Sequence, residues 1–258
     1  MVPRPATFRE RLSRRRHTAL LVAIVVAFAV RPVIGDLRIS RVVFSFALCV
    51  LLLIALYTVQ VDELVGDRAV LLAQRRRRAI IGWVLAVPAI IERVLVFVVP
   101  SFDLYLVGTV SWLAFIAFVT WSELRAVLQQ REITGETISM AISVYLLLGF
   151  TWGLLYVVIF QLQPGAFHLE SISNSQPDIV RELPTAFPTF IYFSLTTLAT
   201  IGFGDITPVS LQARYAAVAE GITGQFYLAI LVARLVGMQM SRREQGRSDA
   251  DRAGRGRE

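Results

Sequence analysis

The sequence predicts an all-α membrane protein with six transmembrane helices and a short re-entrant helix between the last two. Three observations carry that reading. The composition departs from that of a soluble domain in both directions at once, with 55% hydrophobic and 17% charged residues and a mean hydropathy of +0.62. Ordinary soluble chains have about 45–50% and about 25%. Six apolar blocks are long enough for a helix to cross about 30 Å of hydrocarbon. A seventh is too short to cross and runs into a stretch of alternating glycines.

The six long blocks cover residues 18–34, 41–60, 79–99, 104–122, 138–161 and 211–238, and the short one covers 186–200. The first block has a competing reading as a secretory signal, because a basic flank precedes it and Ala27-Phe28-Ala29 resembles a cleavage site. Apolar character resumes through Val33 and Ile34, which favours a retained helix. Cys49 is the only cysteine, which excludes a disulfide scaffold.

The net charge of +7 comes entirely from arginine on the basic side, since the chain has no lysine. The arginines cluster between apolar blocks, with neither the folded basic face nor the interleaved aromatics of a nucleic-acid-binding surface. They read as topology signals. The N-terminal arm (Arg4 to Arg16), the second connection (Arg68, Arg75 to Arg78), the fourth (Arg125, Arg131) and the tail (Arg242 to Arg257) are basic. The third connection, Pro100 to Asp103, has none, and residues 162–185 hold Arg181 against Glu170, Asp178 and Glu182. Both termini are therefore expected in the cytoplasm. Arg31, Arg38 and Arg41 in the first connection disagree and are read as snorkelling at helix ends.

Residues 187–208 read F-P-T-F-I-Y-F-S-L-T-T-L-A-T-I-G-F-G-D-I-T-P. Pro188 suits the first turn of a helix, where its missing N–H costs nothing. The run to Ala199 makes about three turns, roughly 18 Å, little more than half the hydrocarbon thickness. A half-helix followed by irregular backbone is tolerated at membrane depth only where protein buries it or where it lines a watery cavity. Gly202 and Gly204 take left-handed conformations without steric cost. With handedness alternating, successive carbonyls point to one side. Four such strands around an axis would then offer rings of oxygens from Thr200, Ile201, Gly202 and Phe203, which can replace the water shell of a cation. The C-terminal end of the half-helix carries partial negative charge and favours a cation as well.

Thr200-Ile201-Gly202-Phe203-Gly204-Asp205 resembles the selectivity filter of potassium channels, T-V-G-Y-G-D, with Ile for Val and Phe for Tyr. The resemblance continues through Pro208, Leu211 and Arg214 into the last block, where Gly221-Ile222-Thr223-Gly224 is similar to the stretch bearing the gating-hinge glycine. It covers residues 138–240; residues 1–130 share only the layout of four helices ahead of a pore module.

The resemblance implies a potassium-selective channel subunit that conducts passively and catalyses no reaction. It implies a homotetramer in the plasma membrane that binds membrane lipids but neither nucleic acid nor a soluble substrate, and no cofactor beyond K+ as the permeant ion. The ion would be held by the carbonyls of Thr200, Ile201, Gly202 and Phe203, with Gly204 closing the filter. Asp205, Tyr192, Phe193 and Thr196 would support it, and Gly224, with Gly221 as alternative, would be the hinge. The implied domains are a basic arm (1–17), a four-helix region (18–130), a pore domain (131–240) and a disordered cytoplasmic tail (241–258). The pore domain divides into an outer helix (138–161), turret (162–185), pore helix (186–199), filter (200–204) and inner helix (211–238). A weakly selective cation channel, a transporter and a non-conducting modulatory subunit are the rival readings.

Several residues are read as structural. The fourth block, Leu104 to Ser122, has no arginine, so it lacks the charges a voltage-driven helix needs. Glu92-Arg93 in the third block reads as a polar contact within the bundle. Arg234 reads as snorkelling to the headgroups. His17 and His168 stand without metal-ligand spacing and are assigned no role.

Overall fold

The computed structural model describes residues 16–33, 37–61, 68–95, 102–130, 134–169 and 183–255. Within them lie helices α1 (Arg16–Val33), α2 (Leu37–Val61), α3 (Arg68–Leu95), α4 (Phe102–Gln129) and α5 (Gly135–Leu162). A short strand β1 (Phe167–Leu169), helix α6 (Leu183–Leu198), strand β2 (Ile206–Pro208) and helix α7 (Leu211–Arg255) complete the order. Each apolar block forms the body of one helix. Among the described residues, Asp103–Gln129 of α4, Gly135–Leu162 of α5 and Leu211–Arg234 of α7 are long and apolar enough to cross a membrane. Shorter apolar stretches lie in α1, α2, α3 and α6.

Three boundaries differ from expectation. The arginine run Arg75 to Arg78 is not in a connection but inside α3, which begins at Arg68, because arginine is a good helix former and nothing in 68–78 breaks the helix. The half-helix α6 starts at Leu183, so Pro188 lies inside it rather than in its first turn. The tail expected to be disordered continues α7 to Arg255. Its sequence sets Arg247 four residues before Asp251, and Asp251 four before Arg255, a spacing that supports a helix. Residues 1–15, the connection at 96–101, Arg131, and Glu170, Asp178, Arg181 and Glu182 of the turret lie outside the described residues.

Helices adjacent in sequence pack together from α1 to α6, and α1 also lies against α5. One hydrophobic cluster runs from Leu20 on α1 through Leu51, Trp112, Phe150 and Phe190 to Ala213 at the start of α7. The first four helices therefore share a core with α5, α6 and the first turn of α7. Polar fasteners reinforce the seam. His17 on α1 lies 3.0 Å from Glu123 on α4, both buried. Thr18 donates to Glu136 on α5 at 2.7 Å, and Thr120 on α4 meets Thr151 on α5 at 3.0 Å. Thr134 caps α5 reciprocally with Thr137, satisfying main-chain donors that the helix leaves free. Glu92 is buried on α3 beside Gly108 of α4, whose missing side chain leaves room for the carboxylate.

The last helix is different. In the apolar window of α5, 50% of residues are buried, but in that of α7 only 17% are. Leu211, Tyr215, Val218, Ile222 and Phe226 are each more than half exposed. This chain alone leaves a continuous apolar face of α7 uncovered.

Candidate ion-conduction site

The site begins where α6 ends. The N–H of Thr200 donates to the Thr197 carbonyl at 3.0 Å, and the N–H of Ile201 reaches back to the Thr196 carbonyl at 2.8 Å. This paired pattern closes helices around one left-handed residue, normally glycine. Here that residue is Thr200, with φ of 59°. For a side-chain-bearing residue the left-handed conformation costs about 1–2 kcal/mol, so the helix end holds a strained threonine at the mouth of the loop.

From there the backbone alternates. Thr200, Gly202 and Gly204 have φ of 59°, 55° and 84°, whereas Ile201 and Phe203 between them do not enter positive φ. An added Cβ at Gly202 or Gly204 would meet no atom within 4 Å, so conformation rather than crowding demands glycine at both. Residues 200–204 are all exposed within this chain.

Two side chains support the loop from α6. The Tyr192 ring lies parallel to that of Phe203, with centroids 6.2 Å apart and 1° between planes. The Tyr192 hydroxyl has the Asp205 carboxylate as its hydrogen-bond partner. Asp205 also accepts the N–H of Ile206 at 3.1 Å, at the start of β2. That strand pairs antiparallel with β1, setting Phe167 opposite Pro208 and Leu169 opposite Ile206. The N–H of Val209 adds a bond to the Ala166 carbonyl at 2.8 Å. The loop's exit is thus tied to the chain leaving α5. Ser210 then caps α7, its hydroxyl accepting the N–H of Ala213 at 3.2 Å.

Behind the loop, α6 is wedged between α5 and α7 by three glycines. A Cβ at Gly153 would lie 3.1 Å from the Ile191 Cα, and one at Gly149 would lie 2.5 Å from Leu195 Cδ2. The Gly-x-x-x-Gly spacing lets the two backbones approach, as small residues do between membrane helices. On the other side, a Cβ at Gly224 would lie 2.7 Å from the Leu198 carbonyl oxygen. A cluster of rings, Tyr156, Phe160, Phe167, Phe190 and Phe193, fills the space between α5, β1 and α6 with mostly edge-on contacts at 4.8–5.7 Å.

A family described as ion channel matches residues 140–240, from α5 through the loop into α7. The potassium channel protein kcv of Paramecium bursaria Chlorella virus 1 is 32% identical over 77 residues, 30% of this chain and 77% of that protein. The chain belongs to the potassium channel pore-loop family. No solved structure matches it significantly.

Within this pore-loop chain the expected residues divide. Tyr192, Phe203 and Asp205 come together. Thr196 acts through its backbone, its carbonyl accepting from Ile201 and, at 3.3 Å, from Gly202, while its hydroxyl turns back to the Phe193 carbonyl. Phe193 does not reach the loop; its ring is buried against Tyr156 and Phe167. Gly224 is a contact glycine against α6, whereas Gly221 has open space around it. Arg234 donates to the Gln130 carbonyl at the end of α4, at 2.5 Å, linking α7 to the connection between α4 and α5.

Sequence reasoning missed Gly149 and Gly153, whose spacing was the available signal, and above all Glu220. This acid sits fully buried in the apolar stretch of α7, beside Tyr156 and Ser194. An ionisable residue inside a membrane helix was signal enough.

Proposed function

We propose that this chain is a potassium-selective channel subunit and that four copies surround one conduction axis. The observation that carries the reading is the alternating handedness at Thr200, Gly202 and Gly204 on the end of a half-length helix. It is the geometry in which the carbonyls of Thr200, Ile201, Gly202 and Phe203 face one side. Among the described residues no three His, Cys, Asp or Glu side chains converge, so a cation at the loop would be met by main-chain oxygens and the Thr200 hydroxyl. The α6 C-terminus and Asp205 add negative potential there. One loop per chain cannot encircle an ion, and the uncovered face of α7 with the exposed loop is the surface that neighbouring copies would cover.

On this reading α1 to α5 and α7 are the six spans, α6 is re-entrant, both termini are cytoplasmic, and the subunit sits in the plasma membrane. Conduction is passive, exchanging hydration for carbonyls, with no reaction catalysed. The α4 segment Leu104 to Ser122 has no arginine to move in the field, so opening is not driven by that helix. Purified protein in planar bilayers under opposed potassium and sodium gradients tests the reading. The current should reverse near the potassium equilibrium potential. Reversal near zero would make this a weakly selective cation channel, the reading favoured by a Phe203 that has no hydroxyl to anchor the filter.

A further inference from the structure

Around Glu220 the hydrogen-bond contacts outnumber the hydrogens that are present if it is an ionised carboxylate. Its Oε2 lies 2.5 Å from the Tyr156 hydroxyl and its Oε1 lies 2.5 Å from the Ser194 hydroxyl. The same Ser194 hydroxyl lies 2.8 Å from the Gly149 carbonyl oxygen. These are three oxygen–oxygen contacts, and each needs one hydrogen. The two hydroxyls bring one each, and a carbonyl only accepts. With Glu220 ionised, one of the three contacts has no hydrogen in it.

With a proton on Oε1 the count closes. Tyr156 donates to Oε2, Oε1 donates to Ser194, and Ser194 donates to Gly149. The neutral acid also removes the cost of an isolated charge in a dry interior. No cation pairs with Glu220 among the described residues; the hydroxyls of Tyr156 on α5 and Ser194 on α6 are in hydrogen-bond contact with it, and Tyr145 on α5 is the other ionisable side chain whose electrostatics it influences.

We infer that Glu220 is held as a neutral carboxylic acid and acts as a positioning residue for the filter. It joins all three helices of the pore module at one point: its own α7, α5 through Tyr156 and Gly149, and α6 through Ser194, six residues before Thr200. The inference rests on the filter reading for its consequence, but not for its chemistry. Movement of α7 relative to α5 is transmitted to the pore helix through this relay.

Glutamine is the discriminating substitution. Its carbonyl can accept from Tyr156 and its N–H can donate to Ser194, reproducing the neutral acid but not the carboxylate. Infrared spectra of the reconstituted protein at neutral pH should contain a carboxylic-acid carbonyl band that disappears in Glu220→Gln and shifts in Ser194→Ala. Current decay under steady conditions should stay within about twofold of the parent in Glu220→Gln. It should accelerate by about fivefold or more in Glu220→Val, the factor associated with one lost neutral hydrogen bond. A spectrum that does not change between parent and Glu220→Gln, or a Gln variant that decays as fast as the Val variant, would overturn the inference. If the parent carries no potassium current, the filter reading fails while the infrared band still decides the protonation of Glu220.

Discussion

Replacing Gly224 with alanine separates two roles for an inner-helix glycine. If the residue is a hinge, a methyl group stiffens the helix and favours it by roughly 1 kcal/mol. The contact geometry opposes this. The new Cβ would sit 2.7 Å from the Leu198 carbonyl oxygen, 2.9 Å from its Cδ1 and 3.1 Å from its Cγ. The leucine side chain can rotate away, but the carbonyl belongs to the last turn of α6. Restoring ordinary contact at 3.4 Å requires α7 and α6 to separate by 0.7 Å, the difference between the two distances. Overpacking of this kind costs about 1–3 kcal/mol, and it falls two residues before Thr200. At Gly221 an added Cβ meets nothing within 4 Å, so alanine there brings only the helical gain. We expect Gly221→Ala to raise thermal stability in detergent and Gly224→Ala to lower it, with the latter also altering conduction through the displaced loop. Parallel melting curves and single-channel recordings of the two variants test this. Equal stabilisation by both substitutions would refute the contact and return Gly224 to the role of a plain hinge.

The loop and α4 supply further expected outcomes. Gly202→Val should abolish potassium current while leaving the protein folded, because a β-branched residue strongly resists φ near 55°; retained current would show that the alternation is dispensable. Tyr192→Phe and Asp205→Asn should each change the rate of current decay, by up to the factor that a hydrogen bond of about 1.5–3 kcal/mol to a charged group supplies. Their effects should not add, since both act on one contact, Tyr192→Phe deleting the donor and Asp205→Asn removing the charge of the acceptor, and full additivity in the double mutant would dissolve the pair. Open probability should vary only shallowly with voltage, and a response equivalent to several charges per subunit would locate a sensor outside the Leu104 to Ser122 stretch.

The alternating backbone of residues 200–204 was legible in the sequence because its demands are local. Glycine at alternate positions and a helix too short to span need no distant partner to be interpreted. Thr200 was harder, since its positive φ follows from how α6 terminates, and a threonine offers no hint of that. Tyr192 and Phe193 could not be sorted by sequence. Neighbouring residues point about 100° apart on a helix, and only the packing of α5 decides which one faces the loop. Gly224 invites a hinge reading on sequence grounds, and nothing local signals its close approach to Leu198, 26 positions earlier in the chain. Glu220 shows the same limit, with hydroxyl partners 26 and 64 residues away. The helical tail was missed for the opposite reason: composition argued for disorder, whereas charge spacing, read locally, supports the helix.

The length of α7 makes it a lever arm. It runs unbroken from Leu211 to Arg255, so 34 residues lie beyond Gly221, about 51 Å of helix at 1.5 Å per residue. A bend of about 10° at that open glycine would sweep the far end through roughly 9 Å. The same motion at Gly224, only one turn from the fulcrum, would amount to less than about 1 Å. Displacement is thus large at the arginine-rich end of α7 and small where α7 touches α6. The force ratio runs the other way, so a weak pull at the tip arrives magnified at the contact with Leu198.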